Sequence, residues 1–550
     1  MRRGQRVTTR RNEARNDAGI PQAEFLTARR ARKSAGWVRR IATDPWRFFF
    51  VCLVLTFFNF SAWSIASPLF SGPDEPTQVV RAAAVVRGEL VGSTIGSVKN
   101  ATTRVTVPAV FNAGPPFTSC FAFHSDIPAS CAHPIEASGD PVHTTTYAGR
   151  YPPLYYFIVG FPSMFVKSVM GLYVMRLMSA LVNAVFVSLA LVTVALWSRR
   201  RLLFVGVMTG VTPMVWFLGG VVNPSGLEIC VAICLWVSGL VLVTEHADAP
   251  PPGLVAMVAF SAGVFMLVRP LSPLWVALIV VLLALAGGRR AVAALFASRR
   301  VRRTIAPLVA CGVVAVWWIE SEHSLDLLPV GARLAPGASL LDVIRTAVEH
   351  VPWWLHQMVG IFGALDTPSP LISYGLWALV AGVMCAVAFV VGRWRERAAL
   401  LALVLCVLCL PVAIAVSQYH RLGIVWQGRD ILPLAVGIPV LAVGIAQDSK
   451  VVVRWQSFAA VAASLALGVA SIAAFLDAMR RYTVGMDGPL DFLHSAWHPP
   501  FGTLAIAGFA IVVVALLLWW AASAGRRPAD RVAARTPSGA REIPGLPSTS

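Results

Sequence analysis

The sequence SGPDEPTQVVRAAAVVRGEL sets two acids, Asp74 and Glu75, side by side ahead of a stretch with Val79, Ala83, Val86 and Leu90 at helical spacing. A carboxylate at such a helix start has three uses. It caps free amides ahead of Pro76 at the first helical position, takes a proton from an acceptor hydroxyl as a general base, or with its neighbour holds a divalent cation. Residue types alone leave all three open. Four further segments carry candidate groups. RYPPLYYF, Arg150 to Phe157, gathers three tyrosines around two prolines; Tyr155 is its candidate substrate contact, although the segment also suits a kinked aromatic anchor at a membrane surface. VVNPSGLEI places Asn223 at a tight turn and Glu228 one helical turn later, where an acid in an apolar stretch needs a partner or a function. Asp366, in GIFGALDTPSP, is explained by turn chemistry alone. SQYHRLGIVWQGRDILPL crowds His420, Arg421, Gln427, Arg429 and Asp430 into one short connection. The planar guanidinium fork suits phosphate. Arg429 is therefore the first candidate for gripping a phosphate, Arg421 the second and Arg269, in VRPLSP, the third, with Gln427, His420 and Asn223 as polar neighbours. The bland reading of Arg429 is a local pair with Asp430 or a side chain snorkelling to headgroups.

The elements that must position these groups are membrane spans. Hydrophobic residues make up 57% of the chain and charged residues 13%, with a mean hydropathy of +0.69, against about a quarter charged in a soluble domain. The net charge of +19 sits in arginine clusters between apolar stretches, which fits orientation signals and excludes a nucleic-acid footprint. Twelve charge-poor runs have spanning length, at 48–70, 174–197, 202–222, 225–244, 253–268, 271–287, 304–319, 371–392, 398–417, 431–447, 455–476 and 502–522. A thirteenth, 151–171, is broken by Pro152, Pro153 and Pro162 and carries Lys167. Treating it as an interfacial or re-entrant hairpin puts Arg199 to Arg201, the 289–303 cluster, Arg393 to Arg397 and Lys450 to Arg454 all on the cytoplasmic side. Both termini are then cytoplasmic, and segments 71–150, 320–370, 418–430 and 477–501 share the outer face. The expected fold is an all-α polytopic protein of the plasma membrane over 48–524, between basic disordered tails at 1–47 and 525–550. Seven of the nine cysteines lie in apolar runs, whereas Cys120 and Cys131 share the polar outer segment GPPFTSCFAFHSDIPASCAHP, where a disulfide is expected. No Gly-rich phosphate loop occurs, which argues against a nucleotide-driven pump.

In order along the chain stand PDEP after the first span, PPLYY before the second, NP-x-G-L after the third, G-x-F-G-x-L-D before a later one and QGR-x-x-LP after another. Together they resemble the bacterial membrane family known as domain of unknown function 2142, similar in layout to the GT-C superfamily of glycosyltransferases. Ser225, after NP, and Asp430, after QGR, depart from that pattern. The resemblance covers roughly residues 45–480. It implies an all-helical, GT-C-like enzyme that takes a sugar from a polyprenyl-phosphate donor and passes it to a glycan or protein acceptor outside the membrane. It also implies a catalytic acid in the first outer loop, which Asp74 or Glu75 matches. The residue-level assignment is Asp74 as base, Glu75 as helper or ligand to a divalent cation, and Arg429 with Arg421 as phosphate clamp. The competing classes are a lipid-linked saccharide transporter or flippase, which needs ionisable groups at mid-span, and a non-catalytic scaffold.

Overall fold

The computed structural model describes residues 44–95, 102–136, 138–325, 338–491, 495 and 497–525; nearly all of both expected tails lies outside these. The chain forms two units, Met1–Phe48 and Phe49–Ser550. Of the first, only 44–48 are described, at the start of the helix Pro45–Ala66. Everything below belongs to the second.

Ten helices among the described residues are long and apolar enough to cross a membrane, and the chain is a multi-pass membrane protein. All twelve expected runs lie on helices, but two depart from a plain span. The run at 202–222 divides into Leu203–Gly210 and Pro213–Gly220, bent by 63°. Pro213 cannot continue the first helix, and Thr212 at the bend donates from its hydroxyl to the Met358 carbonyl at 2.7 Å. The run at 253–268 forms Pro252–Met266, only 15 residues long, or about 22 Å against the roughly 30 Å of hydrocarbon. The 151–171 segment gives a helix at Leu154–Gly160 and a 3-10 turn at Phe161–Met164. That is too short to cross. Tyr155 and Tyr156 face inward while Phe157, Phe161 and Phe165 are exposed, as an interfacial segment requires.

At the centre stands Pro224–Glu245, buried along its whole apolar length against Val169–Trp197, Pro252–Met266 and Ser272–Ala297. The helix Gly437–Ala446 approaches it so closely that a Cβ on Gly437 would fall 2.3 Å from the Trp236 ring, so this position excludes any side chain. In contrast, Arg299–Ser321 and Leu371–Val391 bury only 11% and 17% of their most apolar stretches. In lipid such faces cost nothing to expose.

The four segments expected to share one face do converge, and they enclose one cleft. The first of them is not purely helical. Ser93–Thr94, Thr103–Pro108 and Pro141–Thr146 form an antiparallel sheet in that order, with Thr103 opposite Thr146 and Pro108 opposite Pro141. Cys120 and Cys131 are joined in a disulfide that closes a loop whose Phe121 and Ala129 pack on Tyr482. With its ends 11 positions apart in sequence, the crosslink contributes about 2–3 kcal/mol by restricting the opened loop. A Cys120→Ser, Cys131→Ser pair is expected to speed hydrogen exchange of the amides at 117–132 about 30- to 150-fold and to leave the spans unchanged.

Candidate functional site

Asp74 occupies the N-cap position of the helix Glu75–Val85, yet its side chain makes no capping hydrogen bond. Its backbone is left-handed at φ 59°, a conformation that costs a non-glycine residue on the order of 1 kcal/mol or more. The turn thereby swings the carboxylate away from the helix. Oδ1 accepts a hydrogen bond from the Tyr147 hydroxyl at 2.7 Å, and Oδ2 is paired with Arg429 Nη2. Some 31% of the Asp74 side chain still faces open space, so the carboxylate can be reached. Burial pushes its pKa up. The Arg429 charge and the bonds from Tyr147 and Arg429 outweigh that and hold it below the ordinary value of 3.8. Burial and the Asp74 charge together push the Tyr147 hydroxyl well up, so it remains a donor.

Glu75, expected as a helper beside Asp74 or a cation ligand, is turned the other way and is 1% exposed. Oε1 accepts from Arg176 Nε at 2.7 Å and Val222 N at 3.1 Å; Oε2 accepts from Arg176 Nη2 at 2.6 Å and Gly72 N at 3.1 Å. Arg176 spends its remaining donors on the carbonyls of Ser64, Ser67 and Pro68. This buried pair fastens the turn before Asp74 to the helix Val169–Trp197. It leaves Glu75 no free oxygen for a metal. Among the described residues no three His, Cys, Asp or Glu side chains gather as a cation site.

Asn223 is likewise a positioning residue. Its Nδ2 donates to the Pro73 carbonyl at 2.8 Å while its Oδ1 accepts from Ser225 N at 2.9 Å, which caps Pro224–Glu245 and holds the peptide just before Asp74. Tyr155 is buried against Ser179, 3.0 Å from hydroxyl to hydroxyl, and does not line the cleft. Arg269 answers the acid in the span: Nη1 donates to Glu228 Oε2 at 2.9 Å, and both terminal nitrogens donate to Asp430 Oδ1 at 3.1 Å. Arg429 and Arg269 lie within electrostatic range of each other and of Asp74 and Asp430. Both retain a buried Nε–H without a hydrogen-bond partner among the described residues. The side chains of His420 and Arg421 lie outside the described residues.

The cleft holds about 510 Å³. Asp74, Tyr147 and Gln427 form one part of its wall; Phe121, Phe123, Asp366, Arg481 and Tyr482 are among the others. Asp366 does more than turn the chain, since its Oδ2 accepts from Phe123 N at 3.0 Å and from Arg481 Nη2 at 3.1 Å. Arg481 also donates to the carbonyls of Phe121, His124 and Ile127 and so holds the disulfide loop over the cleft. A second, almost wholly apolar groove of about 410 Å³ is lined by Leu355, Met358, Trp377, Leu432, Val436 and Pro439, with the bend at Gly210 and Thr212. The helix Gly428–Ala435 links the two: Gln427 at its start lines the cleft, Arg429 pairs with Asp74, and Leu432 and Ala435 line the groove.

Tyr147, Tyr151 and Arg481 were not singled out by the sequence pattern. Tyr151 precedes the helix that buries Tyr155, and it lies within electrostatic range of Asp74, Arg269, Arg429 and Asp430. Arg481 sits near the end of the helix Lys450–Val484, in the 477–501 segment expected on the outer face, where basic residues are disfavoured. That was its one readable signal.

The family described as Predicted membrane protein (DUF2142) matches over residues 57–438. No curated protein matches the sequence. Among solved structures, the chain is similar to ArnT from Cupriavidus metallidurans in the apo state, at a TM-score of 0.40 and 14% identity over 90% of this chain and 78% of that one. It is also similar to ArnT from the same organism bound to undecaprenyl phosphate, at 0.38 and 15% over 89% and 78%.

Proposed function

The chain belongs to the DUF2142 family of predicted membrane proteins, and from the geometry of its cleft we propose that it is a glycosyltransferase acting at the outer face of the plasma membrane. The donor is a sugar on a polyprenyl phosphate. The observation that carries this reading is the helix Gly428–Ala435, which joins a reachable carboxylate, paired with a buried arginine, to an apolar groove in the span region. A lipid phosphate ester needs that combination of anion grip and dry channel.

In this mechanism the lipid tail lies in the groove and the phosphate takes over Arg429, with Arg269 behind it. Asp74 accepts the proton of an acceptor hydroxyl as that oxygen bonds to the anomeric carbon. The bond from that carbon to the phosphate oxygen breaks, and its electron pair leaves on the polyprenyl phosphate, whose charge the guanidinium groups balance. Tyr147 orients the Asp74 carboxylate, and Glu75, Arg176 and Asn223 hold its turn in place. The outer orientation is supported by the disulfide in the loop over the cleft, which suits an oxidising compartment. Arg199 to Arg201 and the 393–397 cluster lie at the opposite ends of the spans, as cytoplasmic basic residues would, and this supports the reading in which both termini are cytoplasmic.

The assignment of Arg429 is tested by donor binding. Arg429→Ala is expected to weaken a polyprenyl-phosphate sugar in nanodiscs about 10- to 100-fold, the worth of one charge-assisted grip, with little change for the uncharged polyprenol. Equal losses for both lipids, or none for either in a folded protein, would overturn the phosphate assignment.

A further inference from the structure

Resting on the transferase reading, we propose that the part of the cleft around Phe123 is the acceptor subsite and that it takes a neutral carbohydrate, stacked on the Phe123 ring. Backbone strain concentrates here. Of the non-glycine residues with positive φ among those described, Phe70, Asp74, Phe123 and Leu365 all line this one cleft. Such strain persists only where the surroundings enforce it, and it gathers at functional sites.

Phe123 is the clearest case. Its backbone is left-handed at φ 66° and its side chain is 77% exposed. Asp366 holds its amide, Arg481 holds the carbonyls on both sides of it, and the Cys120–Cys131 crosslink closes the loop that carries it. A phenylalanine on an unrestrained loop would lower its free energy by folding inward, at roughly 1.5–3 kcal/mol for full burial. Three separate devices instead keep this ring bare at the cleft. A fixed, uncovered ring is a stacking platform.

The rest of the wall selects what stacks. Asp366 and Arg481 neutralise each other at 3.1 Å, so once a donor phosphate has taken Arg429 the carboxylate of Asp74 is the charge facing the acceptor. That disfavours an anionic acceptor. The uncharged polar groups are those that sugar hydroxyls pair with. Thr144 donates to Asn112 Oδ1 at 2.6 Å and leaves the Asn112 amide nitrogen as a donor. A sugar ring offers apolar C–H faces to the aromatic ring and hydroxyls around its edge. One of those hydroxyls would be the nucleophile presented to Asp74.

The test uses full-length protein in nanodiscs and saturation-transfer NMR with neutral hexose and pentose di- to tetrasaccharides. Their uronic-acid and phosphorylated counterparts and Ser/Thr-containing peptides serve as comparators, and donor-lipid binding is measured in the same samples. A neutral saccharide is expected to bind with saturation passing from aromatic protons to its ring protons. Phe123→Ala should weaken it about tenfold, Phe123→Tyr should restore it, and donor binding should be unchanged in both. Three results would overturn the inference while leaving the transferase reading standing: donor binding with no saccharide binding, saccharide binding indifferent to Phe123→Ala, or Phe123-dependent binding of a charged saccharide or peptide instead. Failure to bind the donor lipid as well would bring down both.

Discussion

Asp74→Asn is expected to lower sugar transfer by about 10² to 10⁴, the contribution of a positioned general base, in a protein that still folds and still binds its donor. The substitution keeps the size of the side chain and an acceptor oxygen for Tyr147. It removes the charge and the ability to take a proton. The pH dependence of the wild-type protein carries a second signature of the same group. In the free protein Arg429 and Tyr147 hold the Asp74 pKa below 3.8 against the upward push of burial, so the acid limb of kcat/KM should lie below that value. Once a donor phosphate has taken Arg429, the largest downward influence is gone and the burial effect remains. The acid limb of kcat should therefore lie at higher pH than that of kcat/KM. The sign for stability follows from the same depressed value: the ionised carboxylate contributes stability above 3.8, and this is lost as pH falls through the lower folded-state pKa. Transfer by Asp74→Asn at the wild-type rate would remove Asp74 as the base.

Arg176→Met carries the largest expected cost in stability. Both members of the Arg176–Glu75 pair are 1% exposed, and every oxygen and nitrogen of the pair is engaged. Removing the cation leaves a buried carboxylate with two backbone amides for company, a loss of about 3–5 kcal/mol. Adding Glu75→Gln to Arg176→Met should recover a substantial part of it, because the uncompensated charge is then gone even though the crosslink between segments is not. Unfolding in mixed micelles, monitored for the single and double variants, would show this recovery. A single variant as stable as wild type would mean that the pair holds nothing together. The double variant should also transfer poorly despite its stability, since the turn that aims Asp74 would no longer be fastened to the helix Val169–Trp197.

What could be read from the sequence, and what could not, follows from the range of each interaction. Span positions depend on local hydropathy, so helices appear at all twelve apolar runs, and the four segments that the charge of the short basic connections groups together all line the cleft. Disruptions by tertiary structure were invisible. The short Pro252–Met266 helix gives way to the turn that delivers Arg269 to Glu228 and Asp430, residues 41 and 161 positions away. Asp74 and Glu75 are neighbours in sequence with opposite fates, because one left-handed residue points the first toward Arg429 and the second toward Arg176, which is 101 positions distant. No periodicity encodes a positive φ outside glycine. RYPPLYYF offers Tyr155 as the substrate contact, yet a helix starting at Leu154 buries Tyr155 and Tyr156 and leaves Tyr151 near the charged groups. Tyr147 follows a polar strand that carries no membrane signal at all, and only its 2.7 Å bond to Asp74 identifies it.

The measurement that bears most directly on the central claim is product analysis of wild-type protein in nanodiscs with a polyprenyl-phosphate sugar panel and a neutral saccharide acceptor. Mass spectrometry would follow both the lipid and the saccharide. The account predicts that free polyprenyl phosphate and an acceptor lengthened by one sugar appear in equal amounts, and that neither appears with Asp74→Asn. A donor and an acceptor that both bind and are both recovered intact would contradict it.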